Sequence, residues 1–150
     1  MNTDNSQSTT ATLPLKHSSA TEAIIGAFYD VYNELGQGFL ESVYREALAL
    51  VLAERGLKVE KEKSVVVRFR NTTVGIFRTD ILVGNAVVVE LKCARTLDSA
   101  HEAQLLNYLK ATEFEVGLLL NFGNRPQFRR MLLDNSRKQA PKPRLNFRDG

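Results

Sequence analysis

Two carboxylates and an amine lie close together in the middle of this chain, at Asp80, Glu90 and Lys92. Glu90 and Lys92 end the run Val87-Val88-Val89-Glu90-Leu91-Lys92, which is β-branched and apolar until its last residues and therefore reads as a strand. Side chains alternate along a strand, so Glu90 and Lys92 share a face and Leu91 points the other way. Asp80 precedes Glu90 by ten residues, in a second strand-like run across the turn signal Gly84-Asn85. Such a set suits phosphodiester hydrolysis. Hard oxygen ligands hold Mg²⁺, usually one or two carboxylates with waters and substrate phosphate completing the shell. The ion stabilises charge on the phosphate and lowers the pKa of a bound water. A neighbouring lysine orients that water or neutralises developing charge. The backbone carbonyl of Leu91 offers one more oxygen, and Mn²⁺ can replace Mg²⁺ at such a site. The same three residues also suit a polar strand end held by ion pairs, and their spacing alone is a weak pattern.

The chemical reading makes a geometric demand. A two-residue turn at Gly84-Asn85 would set Asp80 opposite Val89 and turn Glu90 away. A three-residue loop, Gly84-Asn85-Ala86, or a bulge, is needed for Asp80 to face Glu90.

The elements that must hold these residues can be read from periodicity. From Thr21, the residues Ala23, Ile24, Ala27, Phe28, Val31 and Leu35 recur at helical spacing until Gly36-Gln37-Gly38 interrupts them. A second helix follows from about Leu40, with Val43, Ala47, Leu50 and Val51 on one side and Gly56 as its left-handed cap. Strands are expected at Val65–Phe69, Thr73–Val83 and Ala86–Lys92, with Ile76, Arg78, Asp80 and Leu82 on one face of the middle one. Asp98 or Ser99 caps a helix running to about Ala111, Val116–Asn121 is a buried strand, and a short helix starts near Pro126. The expected order is α-α-β-β-β-α-β-α, an α/β layer with a hairpin at its centre.

Composition agrees with one globular domain. The chain has 150 residues, enough to bury a core without disulfides or structural metals, and its lone Cys93 excludes an intrachain disulfide or a CxxC-type zinc site. Alternation directs Cys93 away from Lys92, as a small buried residue. Apolar runs such as Val87–Val89 and Gly117–Leu120 are far too short to cross a bilayer, and the Ser/Thr-rich start has no apolar stretch of signal-peptide length. A cytoplasmic setting and no membrane partner are the expectations. Net charge is +3, yet residues 125–150 carry eight basic and two acidic side chains, leaving a −3 balance on the rest. A basic tail adds phosphate affinity without sequence specificity, or is simply a solvated terminus. The expected organisation is an unstructured segment over 1–19, a domain over 20–135 and a flexible basic tail over 136–150.

Several blocks occur together and in order. Gly38-Phe39-Leu40-Glu41-Ser42-Val43-Tyr44 reads G-x-x-E-x-x-Y; Asp80 and Val88-Val89-Glu90-Leu91-Lys92 follow; then come His101 to Lys110 and Gly117 to Gly123. This arrangement closely resembles the GxxExxY family, a branch of the PD-(D/E)xK nuclease-like superfamily, over about residues 21–134. The resemblance implies a restriction-endonuclease-like core, a central mixed four-stranded sheet flanked by helices. It implies that Asp80 and Glu90 bind the metal and that Lys92 is catalytic. It further implies that Glu41 faces the metal site and that Gln104 and Tyr108 line the same cleft. The residue before Asp80 is Thr79, where the superfamily name has proline. From the residues alone, Gln104 and Tyr108 share a helix face with His101, and Glu41 and Tyr44 share another. His101 is expected at the cleft rim rather than as a base. The leading functional expectation is a metal-dependent nuclease acting on DNA or RNA. The alternative is a non-catalytic nucleic-acid-binding or accessory module of the same fold, and a homodimer or an accessory protein partner stays open.

Overall fold

The computed structural model describes residues 16–138; the greater part of the expected unstructured segment and of the expected basic tail lies outside the described residues. Two helices open the domain, α1 (Ser18–Leu35) and α2 (Glu41–Glu54). The strands β1 (Val59–Phe69), β2 (Thr72–Val83) and β3 (Val87–Lys92) follow, then helix α3 (Ser99–Lys110) and the strands β4 (Val116–Phe122) and β5 (Pro126–Leu132). Ordered structure passes both expected edges of the domain. Ser18 and Ser19 belong to α1, and Lys138 donates from Nζ to the carbonyls of Thr112 at 2.8 Å and Phe114 at 2.7 Å.

The strands form one mixed sheet in the order β1-β2-β3-β4-β5, antiparallel except for the parallel pair β3/β4 joined through α3. The sheet therefore has five strands rather than four, and the expected helix at Pro126 is the strand β5. Pro126 fits the first position of an edge strand as well as the first turn of a helix, and here it pairs with Phe122. β1 also starts six residues earlier than expected. Its first half, Val59-Glu60-Lys61-Glu62-Lys63-Ser64, is charged as edge strands often are, which hides it from an apolar-run reading.

Helices cover both faces. On one side Ile24, Phe28, Tyr44, Leu48 and Leu52 of α1 and α2 pack on Ile81, Val83, Val89, Leu91, Leu118 and Phe122, all essentially inaccessible. On the other, Leu105 and Leu109 of α3 meet Leu82, Val88 and Leu119. β4 is buried over its whole length, as expected for a strand covered on both sides. β2 does not keep one face throughout. Leu82 sits in the α3-side core, whereas Ile76 and Arg78 are exposed and Phe77 turns to α3, its ring stacked on Tyr108 at 3.7 Å. Its pairing with β3 ends at Ile81; before that residue its ladder is with β1 alone, and two-stranded ribbons twist more than wider sheets.

The motif tyrosine, Tyr44, is a structural staple. It is wholly buried, stacks on Phe122 at 4.3 Å, donates its hydroxyl to the Gly36 carbonyl and accepts from the Phe39 amide at 3.3 Å. It thereby pins the α1–α2 connection, where Gly36 and Gly38 take positive φ of 72° and 109°. Tyr44→Phe keeps the ring and strands both backbone groups, so it will cost about 1–3 kcal/mol of stability, measured by denaturant unfolding.

Candidate active site

The hairpin meets the demand set by the sequence. Val83 pairs with Val87 and Ile81 with Val89, so the loop is Gly84-Asn85-Ala86 and the register carries Asp80 opposite Glu90. Gly84 and Asn85 hold positive φ of 61° and 53°, which those residue types tolerate. The ladder does not extend through this pair. The Asp80 carboxylate instead accepts the Leu91 amide at 2.8 Å, and the buried Thr79 hydroxyl reaches the carbonyls of Val89 at 3.2 Å and Ile81 at 3.1 Å. Side chains thus take over from the ladder where β2 and β3 part, leaving Asp80 and Glu90 at the opening.

Glu90 is the most perturbed group here. Burial, then the negative charge of Asp80, push its carboxyl up to about 8, with Thr79 and Lys92 offsetting this in part. Its Oε2 is buried and accepts no hydrogen bond. A buried carboxylate oxygen without a donor, beside a second carboxylate, is the electrostatic situation that a cation relieves. The same features set a pH dependence. A carboxyl whose folded pKa lies above its unfolded value stabilises the fold fully below the unfolded pKa, near 4.3, and loses that contribution as pH rises through about 8. In chelator the melting temperature will therefore fall from pH 5 to 9. Glu90→Gln will flatten that fall, and Mg²⁺ at pH 8 will raise the melting temperature of the parent protein but not of the variant.

Glu41 is the first residue of α2, where a helix N-terminus favours negative charge. Although the residue is exposed, its carboxyl is raised by partial burial and then by Asp80, and lowered by Lys92 and Arg45. It therefore lies within electrostatic reach of the strand pair. Lys92 is half-buried and makes no ion pair within 4 Å among the described residues. Arg45 was not expected at the site. Its guanidinium lies 3.6 Å from Asp80 Oδ1 and 3.4 Å from Glu62 Oε2, with Nε buried and unbonded. Arg45 stands four residues after Glu41, a helical spacing visible in sequence, but its long-range partner Asp80 gives no local signal.

Other expected residues stand farther out. Gln104 is exposed on α3, and Tyr108 is half-buried against Phe77; neither hydrogen-bonds Asp80, Glu90 or Lys92 among the described residues. His101 closes a capping box, its Nδ1 accepting the Asp98 amide at 3.3 Å while Asp98 Oδ1 accepts the amides of Ala100 and His101. Cys93 is exposed rather than buried. Its partly covered thiol lies 3.9 Å from the Phe39 carbonyl, and burial and then Glu41 raise its pKa, so alternation breaks down where β3 ends.

The segment after Lys92 is held by β4. Asn121, fully buried, accepts the Ala94 amide at 2.8 Å and donates to the Ala94 carbonyl at 2.9 Å, and Gly123 packs against that same carbonyl. Among the described residues no three of His, Cys, Asp and Glu converge tightly enough to hold an ion by themselves. By their chemistry Asp80 and Glu90 fit Mg²⁺, which takes one or two carboxylates and completes its shell with water and phosphate oxygens. A separate concave surface between β1 and the α3–β4 connection, lined by Lys63, Val65, Arg68, Thr112 and Phe114, has no carboxylate pair, so chemistry and not concavity marks the site.

Comparison with known proteins settles the family. A family model described as the PD-(D/E)XK nuclease superfamily matches residues 18–131, more than half of the chain. The chain belongs to the PD-(D/E)XK nuclease superfamily. Its five-stranded mixed sheet flanked by helices is consistent with the restriction-endonuclease-like fold of that superfamily. The solved structure of SSO0001 is similar at 23% identity and a TM-score of 0.47, covering 79% of this chain and 61% of that one, so this chain spans under two thirds of its length. No curated protein matches. Among the described residues no helix is long and apolar enough to cross a membrane.

Proposed function

We propose that the protein is a divalent-metal-dependent phosphodiesterase of nucleic acids, of the GxxExxY branch, with Mg²⁺ as its ion and Mn²⁺ able to replace it. The observation that supports this most is the pair itself: Asp80 across from Glu90, the latter with an unpaired buried oxygen and a raised pKa, and Lys92 two residues on. Asp80, Glu90 and the Leu91 carbonyl are the ligands in this reading, with Glu41 completing the acidic wall. The bound ion supplies neutralisation of the phosphate charge and acidification of a water. The protein's residues do the rest. Lys92 donates to the attacking water or to a non-bridging phosphate oxygen, holding one against the other. The Leu91 amide fixes the Asp80 carboxylate and Thr79 ties β2 to the Val89 carbonyl just before Glu90, so that little reorganisation is needed. Gln104 and Tyr108, on α3, contact the substrate beyond the scissile phosphate.

The Arg45 guanidinium against Asp80 favours a second reading, a module that binds nucleic acid or an accessory partner without turnover, its carboxylate neutralised by an internal cation. Calorimetric titration of Mg²⁺ and Mn²⁺ into the protein and into Asp80→Asn separates the two. The phosphodiesterase reading expects saturable binding that the substitution removes. Equal heats from both proteins would count against it.

A further inference from the structure

We propose that the outer face of the β1–β2 ribbon is a docking surface for duplex DNA, lying in the major groove and leading the backbone to Asp80. The inference rests on the nucleic-acid reading above and names the substrate class and the surface that holds it.

The ribbon is unusual on three counts. First, residues 63–78 carry four basic side chains, Lys63, Arg68, Arg70 and Arg78, and no acidic one. Arg68 and Arg70, near the tip, have no carboxylate within 4 Å among the described residues, and Arg70 lies over the Phe69 ring at 4.9 Å. Lys63 and Arg78, at the base, are tied to Glu60 and Glu62. Second, large apolar side chains face solvent between the cations. Val66 pairs with Ile76, and these are 40% and 65% exposed, while Val74 is 58% exposed. The opposite face turns inward behind Val66 and Ile76, with Val65 buried and Phe77 on Tyr108, and is exposed at the tip alone, at Phe69. Third, the surface is continuous with the site. Arg78 pairs with Glu62, Glu62 lies 3.4 Å from Arg45, and Arg45 lies 3.6 Å from Asp80, which puts the scissile position at the base of the ribbon.

Charge complementarity selects a polyanion, and shape selects among polyanions. At about 3.3 Å per residue the ribbon reaches roughly 25 Å from Asp80 to its tip, the span of about seven phosphates of one strand. A two-stranded ribbon fits the major groove of B-DNA, where apolar side chains meet thymine methyl groups and arginines reach phosphates or guanine edges. The major groove of A-form RNA is too deep and narrow for such an element. Single strands call for aromatic platforms, and among the described residues the face of Val66, Val74 and Ile76 carries no aromatic ring, Phe69 alternating with Val65 on the other side.

The test is fluorescence anisotropy with the full chain in chelator, where binding is read without cleavage, on a labelled DNA duplex about two turns long (~20 bp). The single strand and the RNA duplex of the same sequence run beside it. Arg68→Ala with Arg70→Ala should weaken duplex DNA binding about tenfold and lower the slope of log Kd against log salt by about two. Val74→Ser with Ile76→Ser, at exposed positions, should weaken it several-fold at an unchanged salt slope. Duplex DNA bound as tightly by both variants as by the parent would overturn the ribbon while leaving the phosphodiesterase reading intact. So would preference for RNA or the single strand, or a dimer in light scattering that Ile76→Ser dissolves, which would assign the face to a second copy. Failure of the parent to bind any nucleic acid would remove both.

Discussion

Lys92→Ala will lower metal-dependent cleavage by about three orders of magnitude while nucleic-acid affinity stays within a few-fold. The size of the effect follows from where the lysine stands. It shares a strand face with Glu90, is half-buried at the end of β3, and makes no ion pair within 4 Å among the described residues, so it has no evident structural task. Its charge is nonetheless felt by both Glu90 and Glu41, which places it beside the carboxylates. Arginine should not restore the rate, because a planar, permanently charged fork cannot reproduce a compact ammonium in the same space. Single-turnover cleavage, anisotropy and melting temperature, measured together, separate lost chemistry from lost binding or lost fold. Cleavage within tenfold of the parent would remove Lys92 from the chemistry.

The largest structural effect is expected at Gly123→Ala. A Cβ there would lie 1.8 Å from the Ala94 carbonyl oxygen and 2.9 Å from its carbon, both backbone atoms with little freedom to yield. Ala94 is held on both its amide and its carbonyl by Asn121, and the Gly123 carbonyl accepts the Tyr32 hydroxyl at 2.9 Å. The clash therefore falls on the clamp that fixes the chain just after Lys92 and ties it to α1. A cost of about 3 kcal/mol or more, lowering the melting temperature by roughly 10 °C, is expected from thermal unfolding. Gly75→Ala provides the control, since a Cβ at that position meets nothing within 4 Å and its φ lies outside the left-handed region. Equal melting of Gly123→Ala and the parent would show that the segment after Lys92 is free to move aside.

Much of this was legible in the sequence, and the rest had specific reasons to stay hidden. The helical spacing of Ile24, Phe28 and Val31 and the apolar runs of β3 and β4 announced those elements because burial on one stripe or on both sheet faces leaves a periodic trace. The edge strands left no such trace. The first half of β1 is charged, and in β5 the opening Pro126 imitates the first turn of a helix. The hairpin register could be stated in advance as a condition on loop length, and the three-residue loop meets it. At the site, Asp80, Glu90 and Lys92 were visible because they interrupt apolar strands. Arg45 and Asn121 were not, because their roles depend on partners 35 and 27 residues away that only the fold brings near. His101 was visible as a polar residue on a helix face, but its use in a cap depends on Asp98 three residues before it.

The central claim is that the Asp80–Glu90 pair works with a cation on nucleic acid. Incubation of the protein with labelled single- and double-stranded DNA and RNA, in Mg²⁺, in Mn²⁺ and in chelator, tests it most directly, with Asp80→Asn/Lys92→Ala alongside. The parent protein is expected to cut duplex DNA in either metal and not in chelator, and the double variant is expected not to cut at all. Cutting that survives chelation or the double substitution, or no cutting of any substrate by a parent protein that binds the metal, would contradict it.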